Sequence, residues 1–325
     1  MSEIQTVFLT GVTGHLGNHV AEELIQQGYD VKALVRKDPA HKIAGVDYVR
    51  GDVCEPSSYA DVMKTCQATI HAAAAVSFGG NASEHMRINH DATLNLLSEA
   101  QNAKQKRFIF VSSRGTHNSA HNPKTADETT GFIRFEDADG YMASKLQAEQ
   151  AVCEAAQTES IETITVSPTA IMAGRDHKPG PAGALVRDFM AGKAKFYLDG
   201  GINIVDVHDA AKATVAALSH GDTGETYFLG GTNATMREIY QIIAEITGQK
   251  APTFMMPTFV AYTAATLFLV IEKLTGRPAP VTPKKVVSFK KRHSYCNAAK
   301  ARDVLGLPQT PLRETIKETI EFFKS

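Results

Sequence analysis

Three short stretches combine residue types and spacings that could carry chemistry. The run Thr10-Gly11-Val12-Thr13-Gly14-His15-Leu16-Gly17 puts glycines at 11, 14 and 17, directly after an apolar segment and at the start of a helical pattern. Glycines there permit a tight turn and let backbone N–H groups approach a pyrophosphate, whose charge the N-terminal end of the next helix favours. Gly11, Thr13, Gly14, His15, Leu16 and Gly17 are therefore candidate dinucleotide-binding residues, although the spacing differs from the GxGxxG of the general fingerprint. Tyr141-Met142-Ala143-Ser144-Lys145 sets a phenol and an ammonium at i and i+4, on one face of a helix. A tyrosine normally titrates near about 10, but a neighbouring cation favours its phenolate. A phenol tuned in this way can protonate an alkoxide formed from a carbonyl, or deprotonate an alcohol in reverse. The third stretch is Val111-Ser112-Ser113, at the end of an apolar run. A hydroxyl there can hydrogen-bond a reacting oxygen as charge builds on it, although serines ending a strand also serve as turn formers.

The elements that must position these groups read as alternating strands and helices. Apolar runs at 6–10, 31–35, 47–50, 68–73, 107–112 and 162–167 have strand length, and helical patterns lie between them, notably at 15–24, 82–103 and 141–156. Parallel strands need crossovers that cover both faces, so the alternation predicts a doubly wound, parallel α/β sheet with ligands at the carboxyl ends of its strands. Arg36 and Lys37, with Lys42 nearby, follow the second strand, where an acid would select NAD and an arginine accommodates the 2′-phosphate of NADP. NADP is accordingly favoured, NAD being the alternative, with Arg36 and Lys42 as candidate contacts. Lys37 and Lys42 also suit a plain cationic surface.

After Pro168 the rhythm becomes irregular, beginning with a Gly/Pro-rich loop at 173–183. Residues 1–170 are assigned to the nucleotide-binding domain, with 203–218 rejoining it. Residues 171–325 are assigned mainly to a smaller, intertwined C-terminal α/β substrate domain. The uncharged stretch 254–271 is expected to form a helix at about 258–274, buried against a substrate site or at a subunit contact, with attachment to a membrane surface as the alternative. The cations at 284–285 and 290–293 are read as a solvated face or an anion-contacting edge of the substrate site.

The 325 residues are 43 % hydrophobic and 21 % charged, the make-up of an ordinary globular protein. With 34 Lys and Arg against 35 Asp and Glu, the balance argues against nonspecific grip on nucleic acid. Cys54, Cys66, Cys153 and Cys296 are widely spaced without a CxxC, which suits reduced structural thiols and no metal site. The N-terminus carries an acid and leads straight into a strand, without the pattern of a secretory signal, so a cytoplasmic location is expected.

Together TGVTGHLG, Gly51-Asp52-Val53, His71-Ala72-Ala73-Ala74, VSS and YMASK resemble, in order and spacing, the extended short-chain dehydrogenase/reductase family. The segment Asn89 to Leu97 is similar to that family's NxxGTxNLL, with Ala92 where glycine is usual, and Val205 to Ala211 to its VDVxDxA turn. The resemblance spans nearly the whole chain and is weakest over 250–291. It implies a Rossmann fold, Tyr141 as acid/base, Lys145 as the cation that lowers its pKa and holds the nicotinamide ribose, and Ser113 as the catalytic hydroxyl. It further implies that Asp52 and Val53 flank the adenine, that Ala72, Ala73 and Ala74 line the cofactor wall, and that Pro168 and Thr169 lie under the nicotinamide carboxamide. The segment SPTAIMAG at 167–174 and VKALVRKDP around Arg36 look more like the dihydroflavonol-reductase and hydroxysteroid-dehydrogenase side than the sugar-nucleotide side. Met172, Phe189 and the 254–271 stretch would suit a hydrophobic substrate. The leading expectation is thus an NADP(H)-dependent reductase of a ketone or aldehyde on a small, fairly apolar molecule. Nucleotide-sugar epimerisation or dehydration with tightly held NAD is the second, and a non-catalytic cofactor-sensing regulator the third. The family often dimerises through the helices bearing Asn89 and Tyr141, which leaves a homodimer open.

Overall fold

Side chains alternate along the central strands, yet both sets are apolar. In Thr6–Thr10, Val7 and Leu9 enter one buried cluster while Phe8 enters another, and in Arg107–Val111 Ile109 faces one way and Phe108 and Phe110 the other. A strand covered on both faces belongs inside a parallel sheet. The computed structural model describes residues 4–76, 81–119, 125–158, 160–177, 179–275 and 293–325.

In chain order its strands are β1 (Thr6–Thr10), β2 (Asp30–Val35), β3 (Val46–Arg50), β4 (Ala68–His71), β5 (Arg107–Val111), β6 (Glu162–Pro168), β7 (Ala170–Met172), β8 (Tyr197–Leu198), β9 (Gly201–Asp206), β10 (Thr226–Leu229), β11 (Thr232–Thr235), β12 (Met255–Met256) and β13 (His293–Ser294). The helices are α1 (His15–Gln26), α2 (Ala60–Met63), α3 (Ala82–His85), α4 (Ala92–Asn102), α5 (Gly140–Ala155), α6 (Pro181–Met190), α7 (Val207–Ala216), α8 (Met236–Thr247), α9 (Thr258–Thr275), α10 (Ala299–Leu305) and α11 (Leu312–Lys324).

Seven parallel strands form the main sheet in the order β10-β6-β5-β4-β1-β2-β3. This is the doubly wound Rossmann order extended by β10, and its switch point lies between β1 and β4. Register there pairs Thr10 with both Leu34 and His71, so the glycine run after β1 leaves the sheet beside the ends of β2 and β4. On one face α1 and α7 pack together, and on the other lie α4 and α5. Phe8, Phe108, Phe110, Leu96 and Val152 fill that second face, each contributing roughly 1.5–3 kcal/mol of burial.

A second, smaller sheet pairs β9 with β7, β11 and β13, and α6, α8 and α11 enclose a separate core around Val186, Ile239, Ile243 and Ile316. The six strands expected from the apolar runs are all present, β1 with the same ends and the others with an end shifted by one or two residues. The helix expected over 82–103 is present as one uninterrupted helical run to Asn102, in which α3, a π turn at Met86–Asp91 and α4 follow one another.

Two other expectations need correction. Phe259 is 73 % and Leu267 60 % exposed on α9, and Phe254, Tyr262 and Phe268 are exposed as well. Ala265 alone among its described side chains is buried, against Leu198 and Met256, so α9 is not packed into a substrate site. Met172 and Phe189, in turn, are core residues of the second cluster rather than cleft walls. Among the described residues no helix is long and apolar enough to cross a membrane. The cations at 284–285 and 290–292 fall outside the described residues, while His293 belongs to β13.

Candidate active site

A cleft of about 2070 Å³ runs along the carboxyl ends of the main strands, between the sheet and the smaller body. Its walls include Gly11, Thr13, Gly14, His15, Leu16, Gly17, Arg36, Asp52, Val53, Ala72, Ala73, Ala74, Ser113, Tyr141, Lys145, Pro168 and Thr169, which gathers the site residues expected from sequence into one cavity. Lys42 is the exception: its ammonium lies over the Tyr48 ring, 5.8 Å from the centroid, and does not line the cleft.

The turn after β1 depends on the absence of side chains. Gly11 has φ +83°, and a Cβ there would stand 2.6 Å from the backbone of Ala72 and Ala73. A Cβ on Gly17 would stand 2.1 Å from the Gly11 carbonyl oxygen. Gly11 therefore lies against the backbone just after β4 and the first turn of α1 against Gly11, which brings the start of that helix to the cleft, a cradle suited to a pyrophosphate. Thr10 Oγ1 fixes the opposite wall: it lies 2.7 Å from His71 Nδ1 and accepts from the Ala73 N–H at 3.2 Å. His71 Nε2 continues to Thr93 Oγ1 at 3.0 Å, and full burial drives the His71 pKa down to about 3, so the ring is neutral.

Arg36 is exposed just beyond β2, and among the described residues no carboxylate pairs with it. Asp52 Oδ1 accepts from the Cys54 N–H at 2.9 Å, which orders the loop after β3. Thr169 Oγ1 donates to Asn203 Oδ1 at 2.8 Å, tying the end of β6 to β9. His15 Nε2 lies 3.0 Å from both the Ala173 and Gly174 carbonyl oxygens; carbonyls only accept, so this nitrogen carries the hydrogen.

Tyr141 and Lys145 stand on α5, whose N-cap is Asp139, accepting from the Met142 N–H at 2.9 Å. Lys145 is buried, its ammonium donating to the Val111 carbonyl at 2.6 Å and lying 4.0 Å from the Phe110 ring centroid. Burial lowers its pKa to about 7, with Glu149 acting in the opposite direction. The Tyr141 pKa moves upward, to about 12, because burial and then the Asp139 carboxylate disfavour the phenolate. The expectation that Lys145 lowers the phenol pKa is thus not met here; the ammonium is engaged with Val111. Of the serine pair, Ser112 is turned inward and donates to Glu149, while Ser113 opens a short 3₁₀ turn, Arg114–Thr116, and accepts from the Gly115 N–H at 3.2 Å.

Three further features border the site. Asn89 sits in the π turn, with Oδ1 accepting from the Ala75 N–H at 2.7 Å and Nδ2 donating to the Ala75 carbonyl and to Ser144 Oγ. It joins the segment after β4 to α5, and in the sequence it was reached only through the resemblance of the segment Asn89 to Leu97. Residues 173–177 form a pinned segment in which Ala173 and Arg175 have φ of +99° and +55°. Thr319, Glu318 and Glu22 hold it in place. Glu149, one turn beyond Lys145, is completely buried, and its acidity on a helix face that is otherwise inward is a signal readable at i+8 from Tyr141.

Residues 7–230 match the model of the NAD dependent epimerase/dehydratase family. A putative dihydroflavonol 4-reductase of Synechocystis sp. is 30 % identical over 327 residues, covering 98 % of this chain and 94 % of its own. Sterol demethylase protein B of Methylococcus capsulatus is 26 % identical over 325 residues, 98 % of each chain. The crystal structure of gox2253 superposes with a TM-score of 0.87 at 27 % identity over 98 % of both chains. UDP-glucose 4-epimerase of Thermus thermophilus, crystallised with NAD, superposes with a TM-score of 0.78 at 20 % identity over 99 % of both, a likeness of fold. With the glycine cradle, the doubly wound sheet and the Tyr/Lys helix on one cleft, these matches place the chain in the NAD-dependent epimerase/dehydratase family, among the extended short-chain dehydrogenases/reductases, as an NAD(P)-dependent oxidoreductase.

Proposed function

We propose that the protein is an NADP(H)-dependent reductase of a ketone or aldehyde on a small, fairly apolar molecule, running in reverse as an alcohol dehydrogenase. The observation that carries this reading is the convergence of Ser113, Tyr141 and Lys145 with the α1 cradle on one cleft. The backbone at Gly11, Gly14 and Gly17 would hold the pyrophosphate, Arg36 the 2′-phosphate, and Lys145 the nicotinamide ribose. The cofactor, when bound, supplies a hydride to the substrate carbonyl carbon. Tyr141 gives its hydroxyl proton to the carbonyl oxygen as negative charge develops there, and Ser113 hydrogen-bonds that same oxygen. A phenol with its pKa raised to about 12 is fully protonated at neutral pH, the state required of the acid in the reductive direction.

Support for an apolar substrate comes from the cleft walls to which Ile133, Met142, Leu185, Phe196, Leu198 and Tyr240 contribute. The names of the Synechocystis and Methylococcus relatives, a dihydroflavonol reductase and a sterol demethylation protein, point toward ring compounds. The test is NADPH oxidation, followed at its absorbance maximum, against aromatic and cyclic ketones, aldehydes and UDP-sugars, with 1-phenyl-1,2-propanedione as the simplest aromatic diketone. Turnover of ketones with NADPH is expected. Purified protein that already carries NAD and converts only UDP-sugars would overturn the reading in favour of epimerase chemistry.

A further inference from the structure

α5 presents Tyr141, Lys145 and Glu149 at successive turns of one face. The first two reach the cleft; Glu149 lies wholly in the interior, 0 % exposed. Its Oε2 is 2.5 Å from Ser112 Oγ and 2.7 Å from Thr116 Oγ1, and its Oε1 is 3.3 Å from Thr226 Oγ1 and 3.8 Å from His117 Nε2. Ser112 and Thr116 bracket Ser113. The Thr116 N–H and hydroxyl both point to the Ser113 carbonyl, at 3.0 and 2.7 Å, and the Gly115 N–H donates to Ser113 Oγ. One carboxyl group therefore grips both ends of the turn that carries Ser113.

Thr116 Oγ1 stands 2.7 Å from the Ser113 carbonyl oxygen, 2.7 Å from Glu149 Oε2 and 3.1 Å from His117 Nδ1. Glu149 Oε2 accepts from both Ser112 and Thr116. Burial pushes the Glu149 carboxyl pKa up, against the hydroxyl donors and the Lys145 ammonium.

We propose that Glu149 is a positioning residue that clamps Ser112 and Thr116 to α5 and so fixes the Ser113 hydroxyl relative to the Tyr141 phenol. Lys145 makes the companion grip one turn earlier, through the Val111 carbonyl. Two consecutive turns of the helix thereby register the end of β5, and groups on two different elements share one frame. Geometry of this kind matters because a misplacement of about 1 Å at a reacting group costs ~10²-fold in rate.

This inference rests on the catalytic reading of Ser113, and a double-mutant cycle separates the two. Ser113→Ala, Glu149→Ala, Glu149→Gln and the Ser113→Ala/Glu149→Ala pair are compared in NADPH-dependent reduction of 1-phenyl-1,2-propanedione, with NADPH affinity and thermal midpoint measured for each. Glu149→Ala is expected to lower kcat at least tenfold with KM and NADPH affinity within twofold. Glu149→Gln, which keeps an acceptor oxygen for the Ser112 and Thr116 hydroxyls, recovers most of that loss. The double variant is no slower than Ser113→Ala, because Glu149 acts through that hydroxyl. Losses that multiply in the double variant, or full turnover in Glu149→Ala, overturn the clamp while leaving the catalytic reading intact. Full turnover in Ser113→Ala overturns the catalytic role and the clamp with it. If Glu149→Ala yields no folded protein, Thr116→Val removes the same grip from the other side and carries the same expectations.

Discussion

The glycine cradle makes a sharp contrast between two nearby substitutions. Gly17→Ala would place a Cβ 2.1 Å from the Gly11 carbonyl oxygen and 2.6 Å from its carbon. Helix propensity alone would favour alanine at this position by about 1 kcal/mol. The overlap is the larger effect, because reaching even a 3.0 Å approach requires the backbone to move about 1 Å, and Gly11 has nowhere to retreat with Ala72 and Ala73 behind it. That shift moves the N–H groups meant for the pyrophosphate, and the expected loss of NADPH affinity is ~10²-fold, about 2.7 kcal/mol. Gly14→Ala differs, since its Cβ would stand 3.2 Å from the same oxygen and a displacement of a few tenths of an ångström relieves it. Its cost is mainly that of a poorer N-cap, about 1 kcal/mol, and less than tenfold in affinity. Fluorescence titration of NADPH into both variants measures the difference. Wild-type affinity in Gly17→Ala, or a greater loss in Gly14→Ala, would refute the cradle.

Other expectations follow from single groups. Arg36→Ala should weaken NADPH binding roughly 10- to 100-fold, the worth of a charge-assisted contact, and leave NADH binding unchanged; equal losses for both cofactors would remove Arg36 from the 2′-phosphate. Lys145→Met should abolish turnover yet raise the thermal midpoint of the cofactor-free protein near pH 6. The Lys145 pKa falls from 10.5 to about 7 on folding, so the folded chain binds fewer protons between these values and gains stability as pH rises across them. Below pH 7 the wild type bears the full burden of a buried ammonium, which the variant lacks, and the difference between the two midpoints should close toward pH 10.5. A midpoint difference that does not change with pH would contradict the burial of that charge.

The parallel sheet was legible because strands covered on both faces read as short unbroken apolar runs, and the β1–α1 turn because its glycines sit between a strand and a helix. The π turn at Met86–Asp91 was not, since one inserted residue leaves the periodicity on either side intact while rotating Asn89 inward. Nor was the second sheet, whose β13 and the β8–β12 pair beside it are two-residue strands that carry no period. At the site, Tyr141 and Lys145 were set by helical spacing, but the direction of the Lys145 ammonium was not, because a flexible four-carbon stem is steered by the Val111 carbonyl and Phe110 ring that only the folded chain supplies. The same holds for Lys42, drawn to Tyr48, and for α9, whose composition fixed a helix but not the face it turns to the body.

The central claim is that Tyr141 delivers the proton while other residues hold the cofactor. Its most direct test is the Tyr141→Phe variant, which removes one oxygen, assayed for NADPH-dependent reduction of 1-phenyl-1,2-propanedione alongside NADPH titration. A fall in kcat of ~10²- to 10⁴-fold with NADPH affinity within twofold of wild type is predicted. Turnover retained within a few-fold would contradict it.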